Sequence, residues 1–218
     1  DITVTNGVWF TGGGVLNLNA GTLSAGAMYL SGPGAVTRAG GHYATGYLSL
    51  SGTSSLSYAT GDSVTGTVDI SNGSTLTLER NLDTPGGYLY LSSGAEVART
   101  TETISAYAFS VDDAILDLLA GDTFGLSAWS YVRNGGVVNA AAGSNLGYVQ
   151  VYGVNAASNP ATLNVNGNTT AVNVETSSSG GIVNLNAGTL TTDYLTLDGA
   201  GALAQNGGHY AVGTGWLG

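Results

Sequence analysis

A long internal repeat constrains the fold of this chain more than any other feature. Residues 15–23 return almost unchanged as residues 182–190, and Gly40–Ala44 returns as Gly207–Ala211. Both pairs show the same offset in numbering, 167 (182 minus 15, and 207 minus 40). When residues 15–51 are aligned with residues 182–218 at this offset, without a gap, 18 of the 37 positions are identical. The 218-residue chain therefore holds one long repeat, about residues 15–181, and the start of the next, residues 182–218. We expect it to be part of a tandem array.

A shorter period of roughly 21 residues runs inside the long repeat, in the range that solenoid proteins use. Its unit is an apolar-x-apolar triplet, followed in most cases by glycine within a few positions. The predicted triplets are residues 28–30, 48–50, 68–70, 89–91, 109–111, 129–131, 149–151, 172–174 and 195–197. Eight such units make one long repeat.

Alternation of apolar and polar residues over three to five positions, broken by glycine and asparagine, is typical of short β-strands. The stretch 112–119 could also form a helical turn, but we interpret it as strand. Strands that recur at a fixed interval predict an all-β fold, a parallel β-solenoid or β-helix of roughly ten turns with right-handed winding. We expect residues 1–218 to form one continuous solenoid, a rod on the order of 50 Å long. A β-sandwich is the main alternative fold, but its strands would not recur at a fixed interval of about 20 residues.

Composition excludes several classes of function. Lysine is absent, and four arginines stand against fourteen acids, which gives a net charge of −10. A nucleic-acid ligand would need clustered cations, so we do not expect one. Without cysteine there is neither a disulfide framework nor a thiolate metal site. No apolar stretch reaches the length of a membrane helix.

The repeats Val183–Leu190 and Leu195–Leu203 resemble those of large bacterial β-helical surface adhesins and exoproteins, such as autotransporter passengers and filamentous-haemagglutinin-like proteins. The resemblance covers nearly the whole chain and lies in short aliphatic strands, small polar turns and few charges. It implies export, a location outside the cell or on the bacterial surface, and a role as a secreted structural protein in a filament or biofilm. It carries over no catalytic or binding residue.

Four aspartates, Asp112, Asp113, Asp117 and Asp122, form the one acidic cluster in the sequence. Paired carboxylates could serve a polysaccharide lyase or hydrolase, which is the main alternative function. The same oxygens could bind calcium. Solvated turn residues would look the same, so we predict no catalytic residue, no metal site and no cofactor. His42 and His209 recur in the same Gly-Gly-His-Tyr unit, and we expect their imidazoles to cap backbone groups at a corner.

Tyrosines at the middle and flanking positions of the triplets should point to solvent, because side chains alternate along a strand. We expect these tyrosines to line one face, which could pack a neighbouring rod, contact glycan or merely shield the sheet. They are Tyr29, Tyr47, Tyr88, Tyr90, Tyr148 and Tyr194. Outward threonines such as Thr67 and Thr196 add ice binding as a further alternative.

The sequence thus favours a non-catalytic, extracellular tandem-repeat solenoid that forms the stalk or body of an adhesin or surface filament. The expected partners are neighbouring repeats, a second copy joined end to end at open strand edges, and a glycan or other surface ligand.

Overall fold

The computed structural model describes residues 1–33, 35–198 and 202–217, and every regular element in them is a β-strand. Parallel sheets stack coil upon coil into a β-solenoid of about ten coils, where one coil is one full turn of the chain, as predicted. Within the described residues there is no helix long and apolar enough to cross a lipid bilayer.

Contacts divide the chain into two units, Asp1–Ala106 and Tyr107–Gly218. The strands up to the boundary are β1 (Ile2–Thr11), β2 (Val15–Leu18), β3 (Thr22–Ser31), β4 (Ala35–Arg38), β5 (His42–Ser51), β6 (Ser55–Tyr58), β7 (Ser63–Val64), β8 (Val68–Ser71), β9 (Thr75–Leu78), β10 (Leu82–Ser92) and β11 (Glu96–Ala98). The strands that follow are β12 (Ile104–Asp112), β13 (Ile115–Leu118), β14 (Thr123–Phe124), β15 (Trp129–Arg133), β16 (Val137–Ala140), β17 (Tyr148–Tyr152), β18 (Thr162–Val165), β19 (Thr169–Thr176), β20 (Ile182–Leu185), β21 (Thr189–Leu197), β22 (Ala202–Gln205) and β23 (His209–Leu217).

Each unit has a long-strand sheet and a short-strand sheet. In the first unit the long strands pair in the order β1-β3-β5-β8-β10, with β7 also beside β5, and the short strands in the order β2-β4-β6-β9-β11. In the second unit the orders are β12-β15-β17-β19-β21-β23 and β13-β16-β18-β20-β22, with β14 beside β12. The strand pairs that the described residues form between successive coils are parallel.

The inward ends of the predicted triplets make aliphatic ladders. Leu30 pairs with Leu50, Leu50 with Ile70, and Ile70 with Leu91. All four side chains are at most 1% exposed. Burying one such side chain stabilises the fold by roughly 1.5–3 kcal/mol, so the stack supplies the core that a single coil lacks.

The long repeat is also a repeat of structure. Strands β20 and β22 are the counterparts, in the second long repeat, of β2 and β4 in the first. The pairing is the same, because Leu16 faces Val36 in one place and Val183 faces Leu203 in the other. Successive long repeats thus present equivalent strands in equivalent register.

The predicted register is wrong in one coil at residues 129–131. Val132, rather than Tyr131, pairs with Val111 and with Val151. Ser130 and Val132 are buried, whereas Trp129 and Tyr131 are half-exposed. The aromatic residues at 129 and 131 matched the apolar-x-apolar pattern, but Ser130 occupies the inward position. Its Oγ accepts a 3.1 Å hydrogen bond from the backbone N–H of Phe109.

A second register error lies at residues 172–174. Val174 pairs with Val149 and Thr176 with Val151, so the inward pair is two residues later than predicted. Thr176 is fully buried, and its hydroxyl accepts a hydrogen bond from the backbone N–H of Asp198. A polar residue with a bonded hydroxyl again fills an inward place. The stretch 112–119, in contrast, is strand as predicted, with β13 at Ile115–Leu118.

Stacked glycines form a corner in the long strands of the first unit. This glycine corner consists of Gly26, Gly46, Gly66 and Gly87. A Cβ on Gly66 would lie 2.2 Å from the carbonyl oxygen of Gly46, and one on Gly87 would lie 2.0 Å from that of Gly66. The backbones therefore approach too closely for any side chain, which explains the choice of glycine here.

Candidate functional site

The six predicted tyrosines all lie on the outward side of the long strands, and each is followed by a buried residue. Tyr90 and Tyr194 are exposed, at 37% and 51%, and the other four are half-buried. Tyr148 and Tyr194 both pair with Asn173, so they share one column as their common register predicts.

The first unit carries an aromatic strip made of Trp9, Tyr29, Tyr47, Tyr88 and Tyr90. The rings of Trp9 and Tyr29 are stacked, with centroids 5.2 Å apart and planes 4° from parallel. Tyr29 lies 5.5 Å from Tyr47 at an angle of 45°. Trp9 was not predicted, although residues 8–10 read as an earlier member of the triplet series.

Tyr88 and Tyr90 lie two residues apart on β10, and their rings are stacked 5.5 Å apart and 7° from parallel. In both stacked pairs of the strip the ring faces are turned toward each other. A sugar ring stacks on an open aromatic face. In each stacked pair one face of each ring is therefore covered by the other ring.

Tyr47 also has a carboxylate partner. Its hydroxyl donates a 3.0 Å hydrogen bond to Oδ2 of Asp69 on the neighbouring strand β8. Partial burial and the negative charge of Asp69 raise the pKa of Tyr47 to about 12, because both disfavour the phenolate. Tyr47 stays a neutral hydrogen-bond donor throughout the physiological range.

The second unit presents aromatic residues on its outward face as well. Trp129 meets Tyr148 edge to face at 5.4 Å, and Tyr131 meets Tyr152 in the same way at 6.2 Å. Trp129, Tyr131 and Tyr152 were not predicted as face residues. Trp129 and Tyr131 were predicted to point inward because of the register error at 129–131. Only the observed strand pairing identifies them as outward residues.

The four predicted aspartates do not converge. Asp112 lies 3.1 Å from Nε of Arg133, and Asp113 accepts a 2.8 Å hydrogen bond from Asn155. The carboxylate of Asp117 accepts one of 2.6 Å from Asn139, and the buried Asp122 accepts one of 2.8 Å from the backbone N–H of Leu119. In the described ranges no three His, Asp or Glu side chains are placed to hold a metal ion. Each aspartate serves its own turn or ladder.

The histidines differ from expectation. Nδ1 of His42 is buried, yet it has no hydrogen-bond partner among the described residues, so it does not cap the backbone. The position where a Cβ on Gly61 would stand lies only 2.4 Å from this nitrogen. His209, the counterpart of His42 in the next repeat, is exposed.

A buried polar cluster that was not predicted closes one corner of the first unit. Asp62, fully buried, forms an ion pair with Arg38 and accepts hydrogen bonds from the backbone N–H groups of Tyr43 and Ala59. The guanidinium of Arg38 lies 5.1 Å from the ring centroid of Tyr43. Burial and the charge of Asp62 raise the pKa of Tyr43 well above its usual range. The turns ending in Gly61-Asp62 and Gly121-Asp122 both place an aspartate three residues after a backbone donor. This spacing could have identified Asp62 as a turn residue, but not its pairing with Arg38.

Comparison with known proteins finds no matching family model, no matching curated protein and no matching solved structure. The resemblance to adhesin repeats therefore stays an interpretation of the sequence, and the fold is what the structure establishes.

Proposed function

We propose that this chain is a non-catalytic, extracellular tandem-repeat β-solenoid that forms the stalk or body of a bacterial adhesin or surface filament. The observation that carries the proposal is the match between the long repeat and its strand pairing. Leu23 pairs with Tyr43 in the first long repeat, and Leu190 pairs with Tyr210 at the equivalent place in the second. Strand pairs repeated in this way let repeats continue one stack, which suits a spacer whose length is set by repeat number.

Display on a bacterial surface tests the proposal. Residues 1–181 followed by residues 15–218 would add one repeat in phase, and eight coils at 4.8 Å should add roughly 38 Å. The chain would be fixed between an outer-membrane anchor and a terminal epitope, and the epitope height measured with one and with two repeats. The matched control, residues 1–181 followed by residues 25–218, joins the strands out of phase and should give no regular gain. An epitope height that does not depend on the number of in-phase repeats would overturn the stalk function.

A carbohydrate-active enzyme is the alternative proposal. It depended on Asp112, Asp113, Asp117 and Asp122, which make separate contacts, so no observation on the described residues favours it. Release of reducing ends from a panel of polysaccharides, lost on Asp122→Asn, would favour the enzyme over the stalk.

A further inference from the structure

A groove runs across the long strands of the first unit, beside the glycine corner. Its volume is about 360 Å³. The walls come from β1, β3 and β5 and from the stretch that begins with β7. Gly26 and Gly46 belong to the lining, where they present backbone in place of a side chain. The groove therefore crosses successive coils rather than following one strand.

Hydroxyl groups without a protein partner line this groove. They make no side-chain hydrogen bond with any residue that the structure describes, and they are those of Thr3, Thr5, Ser24, Ser63 and Thr65. Other hydroxyls of this protein are bonded internally: Thr45, also in the lining, donates a 2.8 Å hydrogen bond to the carbonyl of Tyr47, and Ser54 donates one of 2.7 Å to that of Gly32. The free hydroxyls leave donors and acceptors available on three of the four coils that line the groove, all but the coil of β5.

The lining carries no charge. All eleven lining residues are Thr, Ser, Ala, Gly or Val. The chain as a whole has a net charge of −10, which repels anionic polymers. The lining also offers a cationic occupant no carboxylate to pair with. An uncharged occupant, recognised through hydroxyl groups and small apolar contacts, fits this groove best.

The spacing of the coils indicates a linear, repeating occupant. Successive coils place equivalent positions about 4.8 Å apart, and the groove spans roughly 14 Å over three such steps. This spacing is close to the advance of one ring in an extended β-linked hexose chain. An extended peptide in the groove would lie across the strands, so its backbone could not run alongside a strand and pair with it.

We propose that this groove binds an uncharged, linear, β-linked glycan, with about one sugar ring facing each coil. The hydroxyls of Thr5, Ser24 and Thr65 exchange hydrogen bonds with sugar hydroxyls, and the glycine floor lets the rings approach the backbone. The inference goes beyond the stalk function and does not depend on it, since a stalk without this groove would still set a distance.

Titration of the full chain with β-1,4-linked glucose oligomers of two to six units tests the inference. Binding is followed by NMR chemical-shift changes of backbone amides. We expect shifts confined to the groove and an affinity that rises from two to four sugars and then levels off, because four rings fill the groove. The variant Thr5→Val, Ser24→Ala, Thr65→Val keeps the shape of the walls and should lower the affinity at least tenfold.

The matched control removes three outward hydroxyls from the short-strand sheet of the same unit, by Ser55→Ala, Thr75→Val and Thr77→Val, and should bind like the unchanged protein. Circular dichroism establishes that both variants fold. An α-1,4-linked glucose hexamer, which does not extend straight, should bind at least tenfold more weakly. No shift at the solubility limit, equal loss in both variants, or tighter binding of an uncharged Gly-Ser peptide would each overturn the inference.

Discussion

The hydroxyl of Tyr47 donates a hydrogen bond to Asp69 on the next coil, at a distance of 3.0 Å between the oxygens. The pKa of Tyr47 is raised from 10.0 to about 12 by burial and by this carboxylate. The folded protein thus holds the phenolic proton more tightly than the unfolded chain does. Tyr47 contributes stability that is complete below pH 10 and is lost as the pH rises toward 12.

Asp69→Asn should lower the pKa of Tyr47 toward its usual value, because the negative charge is gone while the burial stays. The alkaline titration of tyrosinate absorbance measures it, with Tyr47→Phe to identify the contribution of this residue. Glu96→Gln, which removes a carboxylate from the short-strand sheet, should leave the titration of Tyr47 unchanged. A pKa near 12 in the Asp69→Asn variant would contradict the assignment.

Asp62→Ala should destabilise the first unit by about 3–5 kcal/mol, because Arg38 and two backbone N–H donors lose their buried acceptor. Urea unfolding measures the change. Asp193→Ala removes an exposed aspartate and should stay within about 0.5 kcal/mol of the unchanged protein. Equal stability of the two variants would mean that the ion pair contributes nothing.

Gly87→Ala and Gly86→Ala make a matched pair on neighbouring residues. A Cβ on Gly87 would lie 2.0 Å from a backbone carbonyl oxygen, whereas one on Gly86 would meet nothing within 4 Å. Gly87→Ala should cost roughly 1–3 kcal/mol, as overpacking does. Gly86→Ala should change the free energy of unfolding by less than about 1 kcal/mol. Thermal unfolding of both variants checks the prediction, and similar melting temperatures would refute it.

End-to-end association should depend on the first coil. Ile2 on the outer strand β1 is 65% exposed, and Val15 on the outer strand β2 is 56% exposed. Open strand edges invite pairing with another chain. Light scattering of the unchanged protein should therefore grow with concentration, and Ile2→Lys with Val15→Lys should suppress that growth. Leu126→Lys, at a residue 60% exposed, serves as the control and should not. A monodisperse monomer at high concentration would exclude this association.

Lateral association through the outward tyrosines of either unit is separable from end-to-end growth. Tyr90→Ser and Tyr194→Ser remove the two most exposed of the six predicted tyrosines. Sedimentation of surface-displayed or concentrated protein should show fewer bundles in this variant, with filament length unaffected. Unchanged bundling would leave shielding of the sheet as the role of these rings.

The period and the self-match were sufficient to predict the class of fold, because inward ladders such as Leu30, Leu50 and Ile70 demand apolar residues at fixed intervals. The predicted register is wrong in the two coils where Ser130 or Thr176 occupies an inward position. At both positions a backbone N–H donates a hydrogen bond to the buried hydroxyl, so a polar residue can occupy the core. Hydrophobicity alone cannot find such a place.

The polar sites were predicted less well, because they depend on contacts between coils. Arg38 and Asp62 lie far apart in the sequence, and only the stacking of coils makes them an ion pair. The outward position of the tyrosines follows from strand alternation, but the stacking of their rings depends on side-chain angles that the sequence does not specify. The free hydroxyls of the groove come from three segments, none of which forms a recognisable motif.

The glycine corner has a consequence for how such a protein changes over generations. The carbonyl oxygen of Gly46 limits what residue 66 can be, and that of Gly66 limits residue 87. Whether a mutation at one of these positions is tolerated therefore depends on the backbone of the adjacent coil. Sequence changes at the glycine corner are for this reason coupled from each coil to the next. Whole coils or whole repeats can be gained and lost with their corners intact, whereas single substitutions there are removed. Such a gene is expected to vary in length before it varies at these codons.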